Sequence, residues 1–213
     1  MSIPKVIHWC WFGPNDISLV SKQCIESWNI NCSGFEVKKW TEDDVKDINS
    51  RFLNCALKNK QWAFASDYVR LFALYHYGGI YLDTDMEVIK NLEDLIDCEF
   101  FIGKEDDVHI SAGIIGSKSN LPLLKKILDY YDSEDMVGKF INIPRVLTKI
   151  INEGDESVLI YDKSYFYPYN PNDNSSLPIL MHHSIKKNTY AIHHWERKWK
   201  LGLINKIKRK LFV

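Results

Sequence analysis

Residues 61 to 77, "QWAFASDYVRLFALYHY", run straight into Gly78-Gly79 and then "IYLDTD", and no other stretch restricts the fold as much. The segment is rich in apolar residues at helical spacing, and the glycine pair stops it as a helix. The short apolar run "GIYL" behind the glycines reads as a buried strand. Asp83 and Asp85 come where that strand runs out. Within the helix, Asp67 and Arg70 are spaced i, i+3 and share a face.

The chain upstream repeats this alternation. "KVIHWCWF" reads as a buried first strand closed by Gly13-Pro14, and residues 17 to 29 carry apolar residues at helical spacing. "FEVKKW" alternates as a second strand, and Thr41 caps a short helix over "TEDDV". Strand, helix, strand, helix is the order of a mostly parallel central sheet with helices on both faces, an α/β fold. Downstream, "FFIG" and "HISAGIIGS" are expected strands, "PLLKKILDYY" and roughly 139–152 helices, and "TYAIHHW" a last strand. "YPYNPNDNSSLP" reads as a surface excursion.

Charge narrows the partners. Lys+Arg 27 against Asp+Glu 28 leaves no basic excess, so binding to nucleic acid is not expected. The five cysteines form no C-x-x-C pair, which fits reduced thiols and a cytoplasmic setting. The first residues lack the pattern of a secretory signal, and no apolar run is long enough to span a membrane.

Two acids at i and i+2 of a strand point the same way, so both carboxylates enter one cleft. Held together they repel, and a divalent cation with a preference for oxygen ligands, Mn²⁺ or Mg²⁺, relieves the repulsion while binding substrate phosphates. In open α/β sheets the ligand crevice lies at the carboxyl ends of the strands, where this pair falls. A solvated turn would produce the same three letters.

The ordered set Ser66-Asp67, Arg70, Gly78-Gly79 and Tyr81-Leu82-Asp83-x-Asp85 resembles the core of retaining glycosyltransferase family 32, the DXD-containing sugar-binding region. "IPKVIHWCWFG" and "YAIHHWERKW" are similar to that family's opening and closing segments. The resemblance implies a GT-A-type fold over residues 1–199 and a nucleotide-sugar donor, with a UDP-sugar expected, and a hexose passed with retention to a glycan or lipid-linked acceptor. It assigns Trp9 and Trp11 to the donor's base, Asp67 and Arg70 to its sugar and diphosphate, and Tyr81 and Asp83 to the sugar side. Asp85 is implied as the direct metal ligand, aided by Asp83. His194 is implied as a further ligand, with the choice between His193 and His194 open. Lys198 and Trp199 are implied to contact the leaving phosphate, although Lys198 stands where the family has serine, and Glu196 and Arg197 where it has small residues. A role in bacterial surface polysaccharide synthesis follows from the short form of the family.

From residue 197 the chain is basic and free of acids, with apolar residues interleaved. Residues 200–213 therefore read as an amphipathic tail for an anionic membrane surface, at the inner face of the plasma membrane, or as a helix docked on the domain. The alternative activity is a phosphohydrolase of the haloacid-dehalogenase kind, whose strand also ends in D-x-D, although Glu87 stands where that motif prefers Thr or Val.

Overall fold

The computed structural model describes residues 2–151, 157–172 and 178–196. In chain order these form β1 (Val6–Cys10), α1 (Leu19–Asn31), β2 (Glu36–Trp40), α2 (Glu42–Val45), α3 (Arg51–Lys58), α4 (Trp62–Tyr77) and β3 (Gly79–Leu82). There follow β4 (Met86–Val88), β5 (Phe100–Lys104), β6 (Ile110–Ser117), α5 (Pro122–Tyr131), α6 (Ile143–Ile150), β7 (Val158–Tyr161) and β8 (Ala191–His193).

A six-stranded sheet of order β2-β1-β3-β6-β5-β7 forms the centre. Pairing is parallel except on the two sides of β6, so β6 alone is reversed. Period-two alternation divides the core. Tyr81, Phe100, Ile102 and Ile115 face the layer of α3, α4, α5 and α6. Ile7, Ile80, Leu82, Phe101 and Ile114 face α1, β4 and Phe166. Helices therefore cover both faces, as the alternation of elements predicts.

The glycine pair does more than end α4. Gly78 takes φ 67, and its N–H closes on the Leu74 carbonyl at 2.9 Å. Gly79 takes φ 109, and a Cβ there would stand 2.5 Å from the Val6 carbonyl oxygen. Only glycine lets β3 pass this close to β1. The turn is braced by buried His8, whose Nε2 lies 2.9 Å from the Gly78 carbonyl while its Nδ1 accepts from Trp40 Nε1 at 3.2 Å. Burial lowers the His8 pKa, and these two bonds suit the neutral ring.

Three elements are unforeseen from sequence. Helix α3 starts at Ser50, whose hydroxyl accepts from Leu53 N–H, but Asp132 completes the cap by accepting from Ser50 Oγ at 2.6 Å and Phe52 N–H at 3.0 Å. Strand β4 has three residues and takes its place from α1: Trp28 Nε1 donates to the Met86 carbonyl at 2.7 Å, and Asn31 Nδ2 to the Val88 carbonyl at 2.9 Å. It pairs antiparallel with β8 outside the main sheet. Strand β7 pairs with β5 at the sheet edge. The expected surface excursion at 167–178 also needs correction at its start. Tyr167 and Asn170 are buried, because Tyr167 fills the space beside Phe166 and Asn170 donates to the Glu105 carbonyl.

Candidate active site

Asp83 and Asp85 emerge from the carboxyl end of β3, beside the end of β1, which runs parallel to it. Asp83 N–H donates to the Gly113 carbonyl at 2.8 Å, which extends the β3–β6 ladder by one step. Between Ile102 and Gly103 the β5–β6 register shifts, leaving a bulge in β6 around Ala112–Ile114. Bulges free backbone groups and re-aim the chain. Here the freed Ala112 carbonyl accepts from Arg70 Nη1 at 2.7 Å, and Gly113 comes up beside the Asp83 carboxylate.

Behind Asp83 lies a buried polar column. Arg70 bridges Asp67 at 2.9 Å and Asp83 at 3.2 Å, with its guanidinium over the Tyr81 ring at 4.4 Å. Tyr81 OH donates to Asp83 Oδ1 at 3.1 Å and lies 3.0 Å from Ser66 Oγ. Asp67, Arg70 and Tyr81 are only 6%, 5% and 1% exposed. They are buried supports that aim Asp83, so the direct donor contacts expected of Asp67, Arg70 and Tyr81 are not what this arrangement offers. The reason is that a polar group on the inner face of a covered helix must find its partners inside. Burial pushes the Asp67 carboxyl up against the pull of Arg70. Arg70 is held charged: burial alone would lower its pKa, and the neighbouring Asp83 and Asp67 carboxylates outweigh that. Burial also pushes the neighbouring Cys10 thiol up to about 12.

In front lies the cluster itself. Asp83, Asp85 and His193 each offer a ligand atom, and these atoms lie within 4.8 Å of one another. His193 Nε2 sits 3.1 Å from Asp85 Oδ1, and Glu196 N–H donates to Asp85 Oδ2 at 2.9 Å. Burial favours the neutral Asp85 carboxyl, but the His193 charge and hydrogen bond, with the Glu196 N–H, hold it well below the usual carboxylate range. Burial likewise favours neutral His193, and the Asp85 charge overrides it, so the imidazole pKa is raised. His193 Nδ1 is buried without a hydrogen-bond partner among the described residues. Two carboxylates, one imidazole and an orphaned ring nitrogen fit a divalent cation such as Mn²⁺.

His194, the histidine implied as the ligand, turns the other way and pairs with Glu87 Oε2 at 2.8 Å, while its N–H donates to the Asp85 carbonyl. The geometry therefore brings His193 to the acids in its place. The two rings diverge because β8 ends at His193, and Trp195 then takes φ 55. Trp9 is also displaced from its expected role. It is 7% exposed and packs edge-on against Trp28 at 6.3 Å, because its strand position faces α1. Trp11, two residues on, is half-buried at the open end of β1 and donates from Nε1 to the Asn15 carbonyl at 2.7 Å. Lys198, Trp199 and the tail 200–213 lie outside the described residues.

The remaining wall was not legible in advance. Glu105, at the end of β5, has its carboxyl pushed up by burial, against the opposing pull of Ser111 and of the His193 charge. Among the described residues Tyr167 OH has no hydrogen-bond partner of sound geometry, although Ser111 and the Ile114 backbone act on it. A Cβ on Gly113 would stand 2.9 Å from that hydroxyl and 3.4 Å from Asp83 Oδ2, so the missing side chain leaves a small polar cradle beside the acids. Glu105 follows the same rule as the acidic pair, a carboxylate at a strand's carboxyl end. Nothing local marks Tyr167.

A covered sheet with paired acids and a histidine at the carboxyl end of a central strand is the architecture of a GT-A-type fold. The solved PaToxG glycosyltransferase has this fold, with a TM-score of 0.57 at 21% identity over 70% of this chain and 68% of that one. Residues 19–102 match the family described as "Glycosyltransferase sugar-binding region containing DXD motif". An uncharacterized glycosyltransferase of Acanthamoeba polyphaga mimivirus is 25% identical over 198 residues, 83% of this chain and 77% of its own length. Inositol phosphoceramide mannosyltransferase 3 of Schizosaccharomyces pombe is 27% identical over 135 residues, 60% of this chain and 36% of its own length. The chain thus spans little more than a third of the fungal protein.

Proposed function

We propose that this glycosyltransferase moves a hexose from a nucleoside-diphosphate sugar to a hydroxyl of a glycan or lipid-linked acceptor, with a divalent cation bound by Asp83, Asp85 and His193. The observation that carries the reading is the meeting of those three ligand atoms within 4.8 Å at the carboxyl end of β3. The bond from the anomeric carbon to the diphosphate oxygen breaks, one to the acceptor oxygen forms, and the acceptor's hydroxyl proton passes to the departing diphosphate oxygen on the same face. A bound cation would neutralise the charge that collects on the departing diphosphate. Arg70, Tyr81 and Ser66 hold Asp83 in one orientation, so no reorganisation is needed as that charge develops. Trp11 offers a ring at the mouth of the crevice for the base. Glu105, Ser111 and the Tyr167 hydroxyl line the opposite wall, where sugar hydroxyls would be read.

Retention of anomeric configuration and a UDP-sugar donor are part of the proposal through the family resemblance. Apart from the metal pair and the buried Asp67, Glu105 is the carboxylate that enters the described site, and the reading takes transfer to be front-face without it; a trapped glycosyl-Glu105 would overturn that step. The relative named as an inositol phosphoceramide mannosyltransferase supports a lipid-carried acceptor. The phosphohydrolase alternative needs Asp83 free as a nucleophile, whereas Arg70 and Tyr81 engage it.

The test is a thermal-shift and calorimetric screen of UDP-glucose, UDP-galactose, UDP-N-acetylglucosamine and GDP-mannose, with and without Mn²⁺, on wild type and Asp85→Ala. One donor at about 100 times its Kd should stabilise by ~2.7 kcal/mol, or roughly 5–10 °C for a chain of this size. That shift should require Mn²⁺ and vanish in the variant. Absence of binding by every nucleotide sugar would remove the reading.

A further inference from the structure

The segment after β8 crosses the front of the acids and is fastened at its far end to α1. Ser18, the N-cap of α1, has its hydroxyl 2.9 Å from both carboxylate oxygens of Glu196, and Ser21 Oγ lies 3.0 Å from Oε2. The first turn of α1 has no acid of its own. A carboxylate from a distant part of the chain therefore supplies the negative charge that a helix N-terminus favours. The same residue's backbone N–H is the one that donates to Asp85 Oδ2. Along the way Trp195, in the left-handed region at φ 55, is held by its Nε1–H donating to the Tyr169 carbonyl at 3.0 Å.

We infer that Glu196 is a positioning residue: its carboxylate latches the 193–196 strap to the start of α1, and the latch sets the Glu196 N–H and the His193 ring against Asp85. The left-handed conformation of a bulky residue at 195 is strained and persists only where its surroundings hold it. The hydroxyls of Ser18 and Ser21 are such a hold, one residue beyond the strained position. Released, the strap would lose the Glu196 N–H that donates to Asp85 Oδ2, together with one route by which His193 is kept at 3.1 Å. The inference rests on the proposed metal role of Asp85 only for its functional consequence; the latch itself is a statement about the strap.

The two are separable by experiment. Ser18→Asn and Ser18→Asp are close to isosteric, and both retain a good N-cap for α1. Asn keeps an N–H that can donate to Glu196, whereas Asp sets a second carboxylate against it. Hydrogen exchange at the Glu196 amide, followed on the metal-free protein, reads the latch. Exchange should be about tenfold faster in Ser18→Asp and in Glu196→Ala than in wild type, and close to wild type in Ser18→Asn and Glu196→Gln. Equal exchange in Ser18→Asp and Ser18→Asn overturns the latch, whatever the metal does. Mn²⁺ affinity, measured from the signal of free Mn²⁺ in paramagnetic resonance, reads the consequence and should weaken about tenfold in the two latch-breaking variants. If wild type binds no Mn²⁺, the metal reading fails while the amide exchange still decides the latch.

Discussion

Tyr167→Phe should make the free protein more stable and the enzyme worse. The Tyr167 side chain is 1% exposed and its hydroxyl has no hydrogen-bond partner of sound geometry among the described residues. A buried unpaired hydroxyl costs about 1–3 kcal/mol. Phenylalanine keeps the ring, with its edge-on contact to His193 at 5.6 Å and its packing on Trp195 at 6.1 Å, and removes the cost. The expected gain is therefore about 1 kcal/mol, or ~2–4 °C in Tm. The same hydroxyl limits Gly113. A methyl there would stand 2.9 Å from it and 3.4 Å from both Asp83 Oδ2 and Met86 Sδ, so Gly113→Ala forces a packed ring to shift by a few tenths of an ångström. Overpacking of this kind costs about 1–3 kcal/mol. With Tyr167→Phe in place the atom first struck is gone, and the double variant should recover about 1 kcal/mol or more of that loss. Urea unfolding of the four proteins, followed by tryptophan fluorescence, measures the cycle. Loss of more than about 1 kcal/mol in Tyr167→Phe, or strict additivity with Gly113→Ala, would refute the unpaired hydroxyl. Sugar transfer assayed on the same proteins should fall in Tyr167→Phe, because the hydroxyl that no protein group satisfies is then lost to the sugar.

Two further outcomes follow from burial and partners. Iodoacetamide at pH 8, followed by peptide mass spectrometry, should label Cys55 and Cys98 first and spare Cys10, which is buried and whose thiol is pushed up to about 12. Rapid labelling of Cys10 in folded protein would contradict the closed column behind Asp83. Asp132→Ala should cost about 2–4 kcal/mol in urea unfolding, because it strips an acceptor from Ser50 Oγ, Phe52 N–H and Tyr68 OH together, the last at 2.9 Å. A change below 1 kcal/mol would show that α3 needs no cap from α5.

The legible part of this protein was the part governed by neighbours in the chain. Helix α4, its glycine stop and the short strand carrying the acids follow from periodicity and from the conformations only glycine adopts. The same signal marked Thr41, whose capping box with Asp44 is present in α2. What failed was the inference from residue type to surface. Arg70 and Tyr81 were expected at the donor, yet the covered face of α4 and the inner face of β3 bury them, where both engage Asp83. Trp9 lost its expected role to a packing partner, Trp28, that no local pattern names.

Sequence alone determined that Asp83 and Asp85 leave a buried strand on one side of a helix-covered sheet, because alternation along a strand and the stop at Gly78-Gly79 are properties of adjacent residues. Tertiary structure alone decided that His193 and not His194 meets those acids, across 108 residues of chain. It also decided that Glu196 returns to the start of α1, and that a bulge in β6 lays Gly113 beside Asp83. These meetings depend on where β8 ends, how Trp195 turns and which register β6 takes. Packing of distant segments sets all three, and no spacing within a single segment encodes them.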